Sequence, residues 1–181
     1  MSKLNQKNKY EPEFTIEELE NNKNIVIIFY RNINKNIVIY EAKFSSPNSF
    51  HIKSPIDAYW MCISPEFIKK NRDSGNPSDK MEFDFIEQTI AYGVSCSPKV
   101  GEPNVFNVDL VANPDNRPFV LKLDSQGVPR VYGKISGKDA IIRSFYVNTT
   151  PNWIGLPTVN YVEINGLLLD GITQIKERIT K

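Results

Sequence analysis

His51 is the one histidine of this 181-residue chain, so any histidine-based catalysis has to run through it. A nucleophile–base pair needs an imidazole beside a hydroxyl, thiol or carboxylate. Such sites assemble in space, which leaves Ser, Cys62 and the acidic residues open as partners. The plain alternative is a loop histidine, because His51 lies between Phe50 and Ile52 in a Ser/Pro/Asn-rich stretch. Zinc needs about four Cys or His ligands in a structural site. His51, Cys62 and Cys96 make only three such residues, so no metal site is read. The cysteines fall outside any CxxC pair and are read as reduced, buried thiols of a reducing compartment, the cytoplasm.

Carboxylates offer a second route. Two carboxyls drawn from Glu41, Glu87 and Glu163 and held about 5 to 10 Å apart in a cleft would fit glycosidase-type chemistry. Glu41 follows an apolar run beside Tyr40, so it either faces water or sits in a polar pocket that shifts its pKa. Glu163 has the same two readings. Gly133-Lys134-Ile135-Ser136-Gly137-Lys138 lacks the GxxxxGK[ST] spacing of a phosphate loop. It reads as a hairpin turn, or as a small anion site of turn amides and Lys138. No cofactor is indicated.

Aromatic residues with polar handles suggest binding rather than chemistry. Tyr59, Trp60, Tyr92, Tyr132, Tyr146, Trp153 and Tyr161 are of the type that lines clefts and interfaces. Tyr59 and Trp60 are adjacent in a strand candidate and so point to opposite faces. Trp153 lies in the Pro/Gly-rich segment Thr150-Pro151-Asn152-Trp153-Ile154-Gly155-Leu156-Pro157, where an exposed tryptophan marks a contact surface.

These residues have to be positioned by mostly β elements. Thr15 with Glu18 three residues on fits a capping box and a short helix to about Asn22. The apolar runs Asn24 to Tyr30 and Ile37 to Phe44, joined by Arg31-Asn32-Ile33-Asn34-Lys35-Asn36, read as a β-hairpin. The first run reads as buried on both faces. Ile56 to Ile63 is a third strand, and Ser64-Pro65-Glu66 starts a helix. Residues 71–78 read as a mobile loop. Residues 79–91 are ambiguous. Alternation at Met81, Phe83 and Phe85 favours a strand, whereas Asp79 with Glu82 and the face Phe85, Ile86, Thr89, Ile90 favours a capped helix, which is preferred. Gly93 would then be its left-handed C-terminal residue. From Asn104 the pattern is β throughout. Residues 172–179 fit either helix or strand.

The expected fold is therefore mostly β (α+β): an antiparallel β-sandwich or open barrel with one or two short helices packed on it. Residues 1–13 read as a flexible tail and residues 14–181 as a single β-rich domain. With 22 basic and 21 acidic residues the net charge is +1, without the basic excess of a nucleic-acid binder. The N-terminus MSKLNQKNKYEPEF lacks the apolar run of a signal peptide, and no apolar stretch nears the ~20 residues of a membrane-spanning helix.

The ordered set Arg31-Asn32-Ile33-Asn34-Lys35-Asn36-Ile37-Val38-Ile39-Tyr40-Glu41-Ala42, Ser54-Pro55-Ile56-Asp57-Ala58-Tyr59-Trp60, Ile86-Glu87 through Ala91-Tyr92-Gly93-Val94, and Gly155-Leu156-Pro157-Thr158-Val159-Asn160-Tyr161-Val162-Glu163-Ile164-Asn165-Gly166 resembles the DUF4833 proteins, a domain family of unknown function. The resemblance runs from about Asn24 to the C-terminus, with residues 63–78 departing from the family's simpler loop. It implies a small standalone domain and no particular activity. It nominates Asn34, Tyr40, Glu41, Pro55, Tyr59, Trp60, Glu87, Tyr92, Gly93, Pro157 and Tyr161. Turn-setting explains the prolines and glycine. Packing explains Asn34, Glu41 and Glu87 less well.

The first functional expectation is a binding module for a small molecule, lipid or peptide. Its pocket would be lined by Tyr40, Tyr59 or Trp60, Tyr92 and Tyr161, with Arg31, Asn34, Glu41 and Glu87 as polar groups. Arg31 and Glu41 should share that pocket. The alternatives are a hydrolase-like enzyme using His51 or a Glu pair, and a structural or interaction protein. Oligomeric state and strand order are not legible.

Overall fold

A computed structural model describes residues 15–32, 36–75, 79–153 and 157–180. The proposed tail (residues 1–13) and Asn34 lie outside the described residues. The chain opens with helix α1 (Ile16–Asn21), started by the capping box the sequence predicts. Glu18 N–H donates to Thr15 Oγ1 (3.1 Å), and Thr15 N–H donates to Glu18 Oε2 (2.7 Å).

β1 (Ile25–Arg31) and β2 (Ile37–Ala42) form the predicted hairpin, with Phe29 opposite Val38 and Ile28 opposite Ile39. The short pair β3 (Phe44–Ser46) and β4 (Ser49–Phe50) stands apart. β5 (Ile56–Met61) pairs with β2, and helix α2 (Pro65–Asp73) follows. α2 runs into the segment that reads as a loop in sequence. Buried Ile68 anchors it. Next come β6 (Lys80–Met81), a π-helical turn (Glu87–Ala91), β7 (Val94–Pro98), β8 (Phe106–Leu110), β9 (Phe119–Leu123) and β10 (Pro129–Ile135). β11 (Lys138–Pro151), β12 (Pro157–Leu168) and β13 (Gln174–Thr180) close the chain, so residues 172–179 are largely strand.

Eleven strands share one sheet, in the order β6-β5-β2-β1-β11-β10-β9-β8-β7, with β12 also on β11 and β13 on β12. β11 forks this sheet. Its first part pairs with β10 (Val131↔Ile142 to Ile135↔Lys138), and its second part pairs with β1 (Ile28↔Ser144 to Arg31↔Val147). β12 pairs along both parts and so occupies the other edge. Two wings thus leave one edge of β11 and curl toward each other. The β1–β11 pairing is parallel, so the sheet is mixed where the pattern predicts an antiparallel one. The curled, open form is adopted, not two stacked sheets.

The core fills the space between the wings. Val38, Tyr40 and Trp60 meet Phe106, Val108, Phe119 and Leu121, all buried. Each such side chain is worth about 1.5–3 kcal/mol. A second cluster lies on the outer face, where Leu19 of α1 packs on Ile25, Ile28, Ile39, Tyr59 and Met61. β1 is therefore buried on both faces, as its unbroken apolarity predicts, and so is most of β2. The Gly/Lys motif at 133–138 is a hairpin turn: Ser136 and Gly137 have positive φ between paired Ile135 and Lys138.

Charge pairs tie β13 to the second wing. The Arg117 guanidinium donates to Asp115, to Glu177 Oε2 (2.8 Å) and to the Lys134 carbonyl (2.8 Å). Hydrogen bonds from Arg117 hold both carboxyls below their ordinary range, against the opposing effect of burial. A depressed carboxylate contributes stability that is fully present above its unfolded pKa, about 4, and is lost as pH falls through the lower folded value. Arg117→Gln should therefore cost about 2 kcal/mol at pH 7. It should also flatten the fall in stability as pH drops below about 5. Urea titrations at stepped pH test this, and parallel pH profiles for wild type and variant would contradict it.

Candidate functional site

Alternation along the first wing sorts the candidate residues by face. Phe29 and Arg31 of β1, Tyr40 of β2 and Trp60 of β5 turn inward. Glu41 and Tyr59 turn outward. The inward set meets residues 83–92. Tyr92 packs edge-on against Phe29 (centroids 5.3 Å apart) and Trp60 (5.0 Å), and Phe83 lies 6.1 Å from Trp60. Such pairs add about 0.5–1.5 kcal/mol each beyond burial.

Polar groups fix this aromatic cluster. Tyr40 O–H donates to the Tyr92 carbonyl (2.9 Å). Trp60 Nε1–H donates to Glu87 Oε1 (2.9 Å). Glu87 Oε2 accepts from Asp84 N–H (3.1 Å), while Glu87 N–H donates to Asp84 Oδ1 (2.7 Å). The capping box of this segment is thus Asp84/Glu87, not Asp79/Glu82. Asp79 is buried and bound by Arg72 of α2 (2.9 Å), so it cannot cap a helix. The predicted helix over 79–91 is corrected to the strand β6, an extended link and a helical segment from Phe85 that ends in the π-helical turn. Single π-turns recur at functional sites. Gly93 is corrected too. It has no left-handed φ, and its role is close approach, because a Cβ there would lie 1.8 Å from the Gln88 carbonyl oxygen.

Arg31 completes the site. Its guanidinium carbon lies 5.1 Å from the Trp60 ring centroid and 5.2 Å from that of Tyr92, within cation–π range. Its Nε is buried without a hydrogen-bond partner, and no described carboxylate pairs with it. Burial raises the Tyr92 hydroxyl pKa, with Arg31 opposing and Glu87 reinforcing. Burial also raises that of Tyr40. Both phenols are neutral donors across the physiological range.

Five of the nine residues expected in the pocket thus meet: Arg31, Tyr40, Trp60, Glu87 and Tyr92. The expectation that Arg31 and Glu41 share a pocket is corrected, because they lie on opposite faces of the sheet. Glu41 Oε2 accepts from Tyr59 O–H (2.8 Å) and Lys80 Nζ (3.1 Å), beside a hollow of about 300 Å³ under α1. Tyr161 sits farther off, on β12, stacked under the Arg178 guanidinium (4.2 Å) and 6.2 Å from Tyr146. Glu163 is paired with Arg178 and Lys176. Burial pushes its carboxyl up, but those two cations outweigh it and hold the pKa below its ordinary value. Glu41, Glu87 and Glu163 therefore have separate partners.

His51 is exposed, and its Nδ1 accepts from the Ser54 N–H of its own turn (3.2 Å). Both cysteines are free. Burial raises both thiols, that of Cys96 to about 12. Among the described residues no cluster of three His, Cys, Asp or Glu could hold a metal ion, and no helix is long and apolar enough to cross a membrane. Sequence reasoning missed Phe29, Phe83 and Asp84. The D-x-x-E spacing of Asp84 and Glu87 is a visible capping signal.

The family model described as Domain of unknown function (DUF4833) matches residues 27–178. No curated protein and no solved structure matches the chain.

Proposed function

We propose, from the premise that the chain belongs to the DUF4833 family, that it is a binding module. The Arg31 cluster receives the anionic group of a small ligand, lipid or peptide. The observation that carries this reading is the Arg31 guanidinium, stacked on Trp60 and Tyr92 and lacking a carboxylate among the described residues. A guanidinium presents planar paired donors that match a carboxylate or phosphate. The rings flanking it hold the fork in place. Glu87 cannot serve as a free acid while it holds Trp60 and the π-turn. Its role here is to orient.

The hydrolase-like alternative has less support. The hydrogen bonds of His51 lie within its turn, and each candidate glutamate is already engaged elsewhere. The interaction-protein alternative draws on Trp153, which is 95% exposed. With two unpaired thiols, a reducing compartment, the cytoplasm, belongs to the proposal.

A thermal-shift screen with short aliphatic and aromatic carboxylates and the matching phosphate monoesters tests the reading. A compound at 100 times its Kd adds about 2.7 kcal/mol of stability. For a domain of this size that raises the midpoint by about 5–10 °C. Arg31→Gln should abolish the shift while keeping the unliganded midpoint within about 3 °C. No shift from any anion, or the same shift in Arg31→Gln, would overturn the proposal.

A further inference from the structure

A second unpaired guanidinium lies where the sheet forks. Between Ile142, opposite Gly166, and Ser144, opposite Asn165, the register of β11 slips by one residue. Arg143 is the extra residue. It stands between the end of the β10 pairing at Ile142 and the start of the β1 pairing at Ser144. Bulges re-aim the side chain they carry and recur beside functional sites. Opposite this bulge only glycine fits, since a Cβ on Gly166 would lie 2.2 Å from the Ile141 carbonyl oxygen.

Arg143 lines a pocket of about 540 Å³ between the C-terminal end of α1 and the outer face of β1, β11, β12 and β13. One guanidinium N–H is engaged, with Nη2 donating to the Glu20 carbonyl (2.9 Å). No described carboxylate pairs with Arg143 within salt-bridge distance. Burial lowers its pKa, as does Arg130, and together they outweigh Glu20 and Tyr30, which raise it. The pocket walls divide by chemistry. Ser144, Asn165 and Gln174 supply a hydroxyl and two amides, while Ile25, Ile28 and Leu167 supply apolar surface. The one acidic side chain on the rim, Glu20, accepts from Tyr30 O–H (2.8 Å), and Lys176 is paired with Glu163 (3.3 Å).

We infer that this pocket binds a small amphiphilic monocarboxylate, its head on Arg143 and its apolar body on Ile25, Ile28 and Leu167. A single available guanidinium beside a glutamate suits one negative charge better than a phosphate dianion. The inference does not rest on the Arg31 reading, since the two cations lie on opposite faces of the sheet.

Octanoate is the probe. Titrated into the full chain, it should give intermolecular NOEs to the Ile28 and Leu167 methyls, and octanol should bind at least about tenfold more weakly. Arg143→Gln should raise the Kd for octanoate about tenfold or more, whereas Lys53→Gln, at an exposed position outside both sites, should leave it within twofold. The NOE measurement uses the wild-type protein and decides the site even if Arg143→Gln fails to fold. Absence of those NOEs, equal binding of octanol, tighter binding of octyl phosphate, or an unchanged Kd in Arg143→Gln would overturn the inference. Loss in Arg31→Gln with retention in Arg143→Gln would place octanoate at the Arg31 cluster, overturning this inference while leaving that site's reading intact.

Discussion

Trp60→Ala should cost about 3–5 kcal/mol of stability, the range for removing a buried large aromatic. Trp60 is 6% exposed and joins β5 to Arg31 of β1 and to residues 83–92. Its ring packs on Phe83 and Tyr92, and its N–H holds Glu87. Removing it leaves a cavity at the seam between the first wing and residues 83–92. It also frees Glu87 and strips the Arg31 guanidinium of one ring. Trp60→Phe separates these effects. It keeps an aromatic body and drops only the N–H donor to a half-buried carboxylate, so about 1–1.5 kcal/mol is expected. Denaturant titrations of both variants check the ordering. A Trp60→Ala loss below about 1.5 kcal/mol would show that the cluster collapses around the gap and does not depend on this ring.

Local signals were legible in the sequence and long-range ones were not. The Thr15/Glu18 box reads correctly because both partners lie within one helical turn. The same motif reads wrongly at Asp79/Glu82, where Arg72 of another helix captures the aspartate. The β1–β2 hairpin is legible from two β-branched runs and a polar link. Its register is not, and register alone decides that Arg31 joins Tyr40 while Glu41 turns to the opposite face. The β1–β11 pairing spans more than a hundred residues, and no local pattern encodes it.

The candidate site was half legible for the same reason. Residue type and the family resemblance together nominated Arg31, Tyr40, Trp60, Glu87 and Tyr92, whose polar handles meet at one seam. Type also nominated Tyr59 and Glu41, which satisfy each other on the outer face. Arg143 went unnoticed because its distinction is positional. It is an ordinary strand arginine until the opposing register shows that it is the bulged residue.

Gly93→Ala should destabilise the chain by about 2–3 kcal/mol, the usual cost of forcing atoms into a packed site, and should loosen the Arg31 cluster with it. The added methyl would lie 1.8 Å from the Gln88 carbonyl oxygen and 3.4 Å from Val111 Cγ2. The obstacle is backbone, so no rotamer change relieves it. Gly93 is also held from the other side, since its carbonyl accepts from Val111 N–H (3.0 Å). The π-turn is then the part that must move. It is pinned by Tyr92 N–H donating to the Glu87 carbonyl (2.7 Å) and by Glu87 holding Trp60. Strain at Gly93 therefore reaches the indole through two hydrogen bonds. In a Trp153→Phe background Trp60 is the sole fluorophore of its kind, and acrylamide quenching reports its shielding. Wild-type shielding with loss of stability would confine the damage to the turn. Raised quenching together with lower stability is the expected result. It would mean that one glycine sets both the approach of the second wing and the geometry of the cation site.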